Sequence, residues 1–228
     1  MNSLFLSYDE YVVSPAYQAV FERALVQGGI TFDFSTVSNV SVTHSTSNTI
    51  NAIVNDSQKQ LKSIYTIVRA NNAGDGKAYT ALESIDGSRM ASFQYKIGTI
   101  PVPEYRVYTL AEAYDITLDS VNRVNHMRDD YPLTYYKYGG AGRNFWVGVD
   151  LEKQRADDNS TYSGTDTNGT NITFNMVLTG TTDSNADCGS TALEAAGKNG
   201  AAGFLVDVFL AHDRLLTISS DRSVVLDF

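Results

Sequence analysis

Residues 61–69, Leu61-Lys62-Ser63-Ile64-Tyr65-Thr66-Ile67-Val68-Arg69, alternate almost perfectly. Leu61, Ser63, Tyr65, Ile67 and Arg69 fall on one side of an extended chain and Lys62, Ile64, Thr66 and Val68 on the other. That is the period of a β-strand. Segments of the same kind recur in both directions. Upstream, Leu4–Val13 is strand-like, and Phe32, Phe34, Val37, Val40 and Val42 form a β-branched and aromatic run. Downstream come Phe93–Ile97, Phe145–Leu151, Ile172–Leu178, Phe204–Leu210, Leu215–Ile218 and Val224–Phe228.

Two short helices interrupt this pattern. Ser14 can cap a helix whose first turn holds Pro15, with Val20, Phe21, Leu25 and Val26 near one face and Gly28-Gly29 as the stop. Leu110–Val124 is the second, with Leu110, Ala113, Tyr114, Leu118 and Val121 three or four apart, as on a surface helix laid on a sheet. Turn chemistry makes 71–76 a loop, and Gly98 with Pro101 and Pro103 is expected to close the strand that ends at Ile97. Two polar excursions, 152–171 and 179–203, are too long for compact connections and read as functional loops. The chain holds no linker long enough to divide it, so 1–228 reads as one domain. The expected class is mostly β: a jelly-roll β-sandwich of about eight antiparallel strands with two short helices and long loops.

Composition narrows the function. The 228 residues carry a formal net charge of −9, and no Lys/Arg cluster exceeds two residues. Such a surface repels phosphate, which disfavours direct nucleic-acid binding. Cys188 is the single cysteine, which excludes an intrachain disulfide and a Cys-based zinc site. Met1–Leu6 runs straight into Tyr8, Asp9 and Glu10, without the basic and apolar regions of a signal peptide, and no 18-residue apolar span occurs. A soluble chain that is neither secreted nor membrane-spanning is expected.

No catalytic constellation emerges from the spacings. His44, His126 and His212 show none of the histidine spacings that converge on zinc. His212-Asp213 could orient a nucleophilic serine, yet no G-x-S-x-G elbow accompanies it, and His212 reads as a strand-end residue near a turn. Gly197-Lys198-Asn199 fails as a phosphate loop, having Ala192 for the first glycine and Asn199 for the hydroxyl. Asp129-Asp130 and Asp157-Asp158 read as solvated loop acids rather than a glycosidase pair. A weak calcium candidate remains: Asp183, Asn185, Asp187 and Glu194 occupy positions 1, 3, 5 and 12 of a calcium loop, although Gly189 comes one place late and Ser190 replaces an apolar residue. The sequons at Asn39, Asn55, Asn159, Asn168 and Asn171 are expected to go unused without a secretory signal. The expectation is no catalytic residue, no bound metal, no cofactor and no enzymatic activity.

The C-terminal half carries a resemblance. Phe145-Trp146-Val147-Gly148-Val149-Asp150-Leu151-Glu152-Lys153, Ser163-Gly164-Thr165-Asp166-Thr167, Ile172-Thr173-Phe174 and Val206-Asp207-Val208-Phe209-Leu210-Ala211-His212-Asp213 resemble the last strands of double-jelly-roll major capsid proteins of polinton-like viruses, virophages and related eukaryotic DNA viruses. The stretch 60–69 followed by Tyr95-Lys96-Ile97-Gly98 is similar to that family's second jelly roll. The chain has room for one such roll, and Leu4–Val13 looks like the start of the second barrel, so the resemblance implies the C-terminal barrel of a longer capsid polypeptide. It further implies a trimer of pseudo-hexagonal outline, neighbouring capsomers with penton and minor capsid proteins as partners, an icosahedral shell, and residence in the virion after assembly inside the host cell. Phe145 and Trp146 would then anchor the core beneath the capsomer surface, and loop 156–170 would be a trimer-facing arm. The competing readings are a single-jelly-roll penton protein and a carbohydrate- or receptor-binding jelly roll, the latter calcium-dependent through the candidate loop.

Overall fold

The computed structural model describes residues 14–44, 48–70, 84–85, 87–121, 135–139, 145–152, 164–179, 204–219 and 224–227. In chain order these form α1 (Pro15–Gly28), β1 (Ile30–His44), β2 (Thr49–Val54), β3 (Leu61–Ala70), β4 (Met90–Ile97), β5 (Ile100–Val107), α2 (Leu110–Ser120), α3 (Tyr135–Gly139), β6 (Val147–Asp150), β7 (Ile172–Leu178), β8 (Phe204–Ile218) and β9 (Val224–Asp227). The chain divides into two compact units, one of Ser35–Asp213 and one of its two ends, Met1–Phe34 with Arg214–Phe228. At 15 residues each, β1 and β8 exceed the usual strand length of about 3–10 because each contributes to both units.

In the larger unit the strands form two sheets, in the orders β1-β8-β3-β6 and β2-β7-β4-β5. The eighth strand lies beside the first, the sixth beside the third, the seventh beside the second and the fifth beside the fourth. That order arises when a chain folds into one long hairpin and the hairpin is rolled into two layers, which is the jelly roll. The ladders β2–β7, β7–β4, β4–β5, β8–β3 and β3–β6 are antiparallel throughout.

Registry places matched apolar rows between the sheets. Ile50, Met176 and Phe93 pair across three strands, as do Ala52, Phe174 and Tyr95, and all six are fully buried. The facing layer supplies Ile64, Val68, Val147, Val149, Val206, Val208 and Leu210. Two register shifts alter the simple alternation. One falls between Leu61 and Ser63, so Leu61 is buried together with Ile64, Thr66 and Val68 instead of opposite to them. The other, between Met90 and Ser92, buries Met90 together with Phe93, Tyr95 and Ile97. A one-residue slip exchanges the faces of a strand, and a bulge confines that exchange to a few residues.

Several sequence expectations meet a different structure. Pro101 and Pro103 do not close a strand. They lie inside β5, with a cis Val102–Pro103 bond, at the edge of its sheet where the missing N–H costs no ladder bond. Gly98, at φ +60°, makes the tight turn that brings β5 back onto β4. Leu215–Ile218 is not a separate strand but the continuation of β8, and His212 and Asp213 sit within that strand rather than at its end. Helix α2 buries Ala113, Thr117 and Ser120, so its inward stripe runs through Thr117 and not Leu118. Leu4–Val13 and the loop 71–76 lie outside the described residues.

In the end unit, Ser14 caps α1 by accepting a hydrogen bond from the Tyr17 amide at 3.4 Å, and Gly29, at φ +86°, ends it. β9 pairs antiparallel with the last residues of β8, from Leu215 opposite Asp227 to Ile218 opposite Val224. The hydroxyls of Thr31 and Thr217 meet at 3.3 Å.

Candidate functional site

Neighbouring residues on a strand face opposite ways, and His212 and Asp213 obey this rule. The His212 ring is buried, with Nδ1 3.0 Å from the Leu210 carbonyl oxygen. Asp213 turns to the other face, where Lys62 Nζ lies 2.7 Å from Oδ2 and the Ser35 hydroxyl donates to Oδ1 at 2.6 Å. The two therefore do not form the carboxylate–imidazole pair of a hydrolase. His44 is half-buried on β1, and among the described residues no three His, Cys, Asp or Glu side chains gather as metal ligands. His126, Cys188, Asp129, Asp130, Asp157, Asp158, the 197–199 stretch and the calcium candidates Asp183, Asn185, Asp187 and Glu194 lie outside the described residues.

The outer face of the β1-β8-β3-β6 sheet carries two ionic rungs. Asp207 pairs with Arg69 and accepts a 2.5 Å bond from the Ser41 hydroxyl. Asp213 pairs with Lys62, whose Nζ is also 3.7 Å from Glu152. The two aspartates are sunk, with side chains 7% and 3% exposed, while Arg69 and Lys62 keep 22% and 24%. The cations thus lie over the sheet and bring their charge to the carboxylates, which a buried aspartate requires. Each rung ties β1, β8 and β3 together. The spacing of these charges in sequence gave no hint of the pairing.

On the opposite sheet, Arg106 spreads across three strands. Its guanidinium donates to Ser92 on β4 at 3.1 Å and to Asn175 on β7 at 2.6 Å, and Asn175 in turn donates to Asn51 on β2. Gln94 donates to the Pro103 carbonyl at 3.1 Å, which holds the edge strand where proline cannot.

Tyrosines fasten the layers to one another. Tyr95 spans the sandwich from β4, and its hydroxyl lies 2.8 Å from Thr66 Oγ1 and 3.1 Å from the Val147 carbonyl oxygen. Tyr65 donates to the Ser120 carbonyl at 2.7 Å and so holds α2 against β3 and β6. Gly148 makes this approach possible, since a Cβ there would lie 2.3 Å from Ser120 Oγ. Burial raises the Tyr95 and Tyr138 phenols well above the ordinary range. Tyr65 is raised by burial first and then by Asp150 and Glu152, against the opposing Ser63 hydroxyl. Phe145 is buried against Tyr138, with ring centroids 5.1 Å apart. Trp146 faces the other way, half-buried and edge-on to Tyr65 at 5.6 Å. Of the expected arm 156–170, residues 156–163 lie outside the described residues. The remainder is bound to this chain's own β2–β3 connection and the start of β3, where Thr167 pairs with Gln58 and Thr165 with Leu61. Across the described residues these polar groups join strand to strand and α2 to its sheet.

No protein-family model and no curated protein matches the sequence. Solved structures do. PBCV-1 VP54, fitted into a reconstruction of the virophage Sputnik, superposes with a TM-score of 0.52 at 11% identity, covering 89% of this chain and 52% of that one. The chain has the jelly-roll fold of the double-jelly-roll capsid proteins. The jelly roll here thus spans about half the length of the capsid chain it matches. The Sputnik virophage structure, at 14% identity, and the mavirus major capsid protein, at 10%, each give a TM-score of 0.48, with 88% of this chain covered and 39% and 42% of theirs.

Proposed function

We propose that this chain is a viral capsid subunit, one barrel of a two-barrel major capsid protein that trimerises into pseudo-hexameric capsomers of an icosahedral shell in the virion. The observation that carries the reading is the strand order, β1-β8-β3-β6 over β2-β7-β4-β5, shared in overall fold with PBCV-1 VP54 over 89% of the chain. A shell subunit works by geometry, and the cross-strand rungs, the Arg106 spread and the Tyr95 bridge all serve shape. Phe145 and Trp146 belong to this proposal as core anchors beneath the capsomer surface, as does loop 156–170 as a trimer-facing arm. The partners are then further copies, neighbouring capsomers, and penton and minor capsid proteins, with neither nucleic acid nor a membrane span involved directly. One eight-strand set among the described residues also suits a single-jelly-roll penton protein. Light scattering on the purified chain separates the two. A mass of three subunits supports the major capsid reading and five the penton reading, while a monomer that binds sugars on an array contradicts both.

A further inference from the structure

Lys62 on β3 has Asp213 of β8 on one side and Glu152, just past the end of β6, on the other. The register shift between Leu61 and Ser63 makes Lys62 the extra residue of a bulge, and a bulge re-aims the side chain it carries. Lys62 Nζ lies 2.7 Å from Asp213 Oδ2 and 3.7 Å from Glu152 Oε1. The contact to Oδ2 has the distance of a hydrogen bond without its angles, for among the described residues this buried oxygen accepts none. The other carboxyl oxygen, Oδ1, is held by the Ser35 hydroxyl at 2.6 Å. Glu152 is fixed by the backbone around it. The Leu151 N–H donates to the Lys62 carbonyl at 2.7 Å and the Glu152 N–H to Asp150 Oδ1 at 2.9 Å. All three side chains are sheltered, with 3% of Asp213, 16% of Glu152 and 24% of Lys62 exposed.

We propose that Lys62 and Asp213 condense into an intramolecular amide, with Glu152 as the proton carrier. An amine held against a carboxyl, sheltered from bulk water and beside a second carboxylate, is the arrangement such a condensation needs. A proton passes from the Lys62 ammonium to Asp213 Oδ2, which leaves a neutral amine and a carboxylic acid. The Nζ lone pair attacks Cγ, and negative charge gathers on Oδ1, where the Ser35 hydroxyl stabilises it. Glu152 takes a second proton from Nζ and delivers it to Oδ2; the Cγ–Oδ2 bond breaks and water leaves. Two of the three Nζ protons depart with Oδ2, the third stays on the amide nitrogen, and no oxidant or reductant takes part. Two effects favour closure. Groups held at contact react as if at about 10⁵–10⁸ M, and the neutral amide relieves a sheltered site of two charges. The neighbouring rung cannot follow, because the Arg69 guanidinium keeps its proton and is no nucleophile. The bond ties β3 to β8 and restricts the unfolded chain between residues 62 and 213, as a disulfide does.

Intact mass spectrometry of the full-length chain, followed over days after refolding, tests this. The refolded wild type is expected to fall short of its sequence mass by one water, while the same chain held in urea keeps the full mass. Trypsin is expected to leave the bond after Lys62 uncut and to yield a branched peptide joining Lys62 to Asp213. Lys62→Arg conserves the charge, its fold is verified by circular dichroism, and it is expected to keep the full mass. Glu152→Gln is expected to reach the same final mass as the wild type about a hundredfold more slowly. A refolded wild type that keeps its sequence mass overturns the inference and leaves the pair ionic. Loss of water from Lys62→Arg also overturns it, since the water would then come from elsewhere, as from a succinimide at Asp75-Gly76 or Asp86-Gly87. An unchanged rate in Glu152→Gln overturns the part assigned to Glu152. The bond lies within one chain, so its failure leaves the capsid reading standing.

Discussion

Replacing Tyr95 with phenylalanine tests how the two layers are fastened. The ring stays between Phe93, at 6.1 Å, and Phe174, at 5.0 Å, so the packing of the sandwich is preserved. What disappears is a hydroxyl within bonding distance of Thr66 and of the Val147 carbonyl oxygen, all in the dry interior. A buried polar group left without its partner costs about 1–3 kcal/mol, well above the net worth of the bond itself. In a chain of this size about 2 kcal/mol corresponds to a fall in Tm of roughly 4–8 °C. Tyr95→Phe combined with Thr66→Val leaves no stranded hydroxyl at this pair, so the double variant is expected to be less destabilised than the sum of the singles. Urea denaturation of the four chains in the cycle measures both quantities. A Tyr95→Phe loss below about 0.5 kcal/mol, or strict additivity, refutes the account.

The remaining predictions concern charge and space. Tyr95 and Tyr138 hold their protons in the folded chain to higher pH than in the unfolded chain, where tyrosine titrates near 10. Their raised values favour the fold fully below about pH 10, and stability falls above it by up to about 1.4 kcal/mol per pH unit for each group; alkaline melts of Tyr95→Phe and Tyr138→Phe are expected to be flatter. Asp207→Ala removes the sunk carboxylate that Arg69 and the Ser41 hydroxyl share and is expected to cost about 3 kcal/mol, whereas Glu152→Ala, which removes the 3.7 Å contact to Lys62, costs less than about 1, both read by urea midpoints. Gly148→Ala forces Cβ onto Ser120 Oγ and is expected to lose about 1–3 kcal/mol by thermal melting, with Ser120→Gly restoring part of it.

How much of this was legible depended on the range of the interaction. Alternation in 61–69 and 172–178 and the Ser14-Pro15 cap are local signals, and β3, β7 and α1 formed where they were read. Pro101 and Pro103 misled because proline ends a central strand but is tolerated on an edge, and edge position is decided by which strands pair. His212-Asp213-Arg214 looked like a break between strands because its charges are polar in sequence. Their partners, Lys62 and Ser35, are distant, the latter by 178 residues. Thr117 and Ser120 were missed as the buried side of α2 because their hydroxyls find partners in Gly148, Tyr138 and the helix backbone, which hydropathy does not register. The Arg106 spread has no linear motif, since its ligands come from β4 and β7 and meet only once the roll is closed.

The capsid claim is tested most directly by negative-stain imaging of the purified chain at increasing concentration. Three-subunit particles that merge into sheets or closed shells as concentration rises are predicted. Uniform small monomers at every concentration, with the fold intact by circular dichroism, would contradict it.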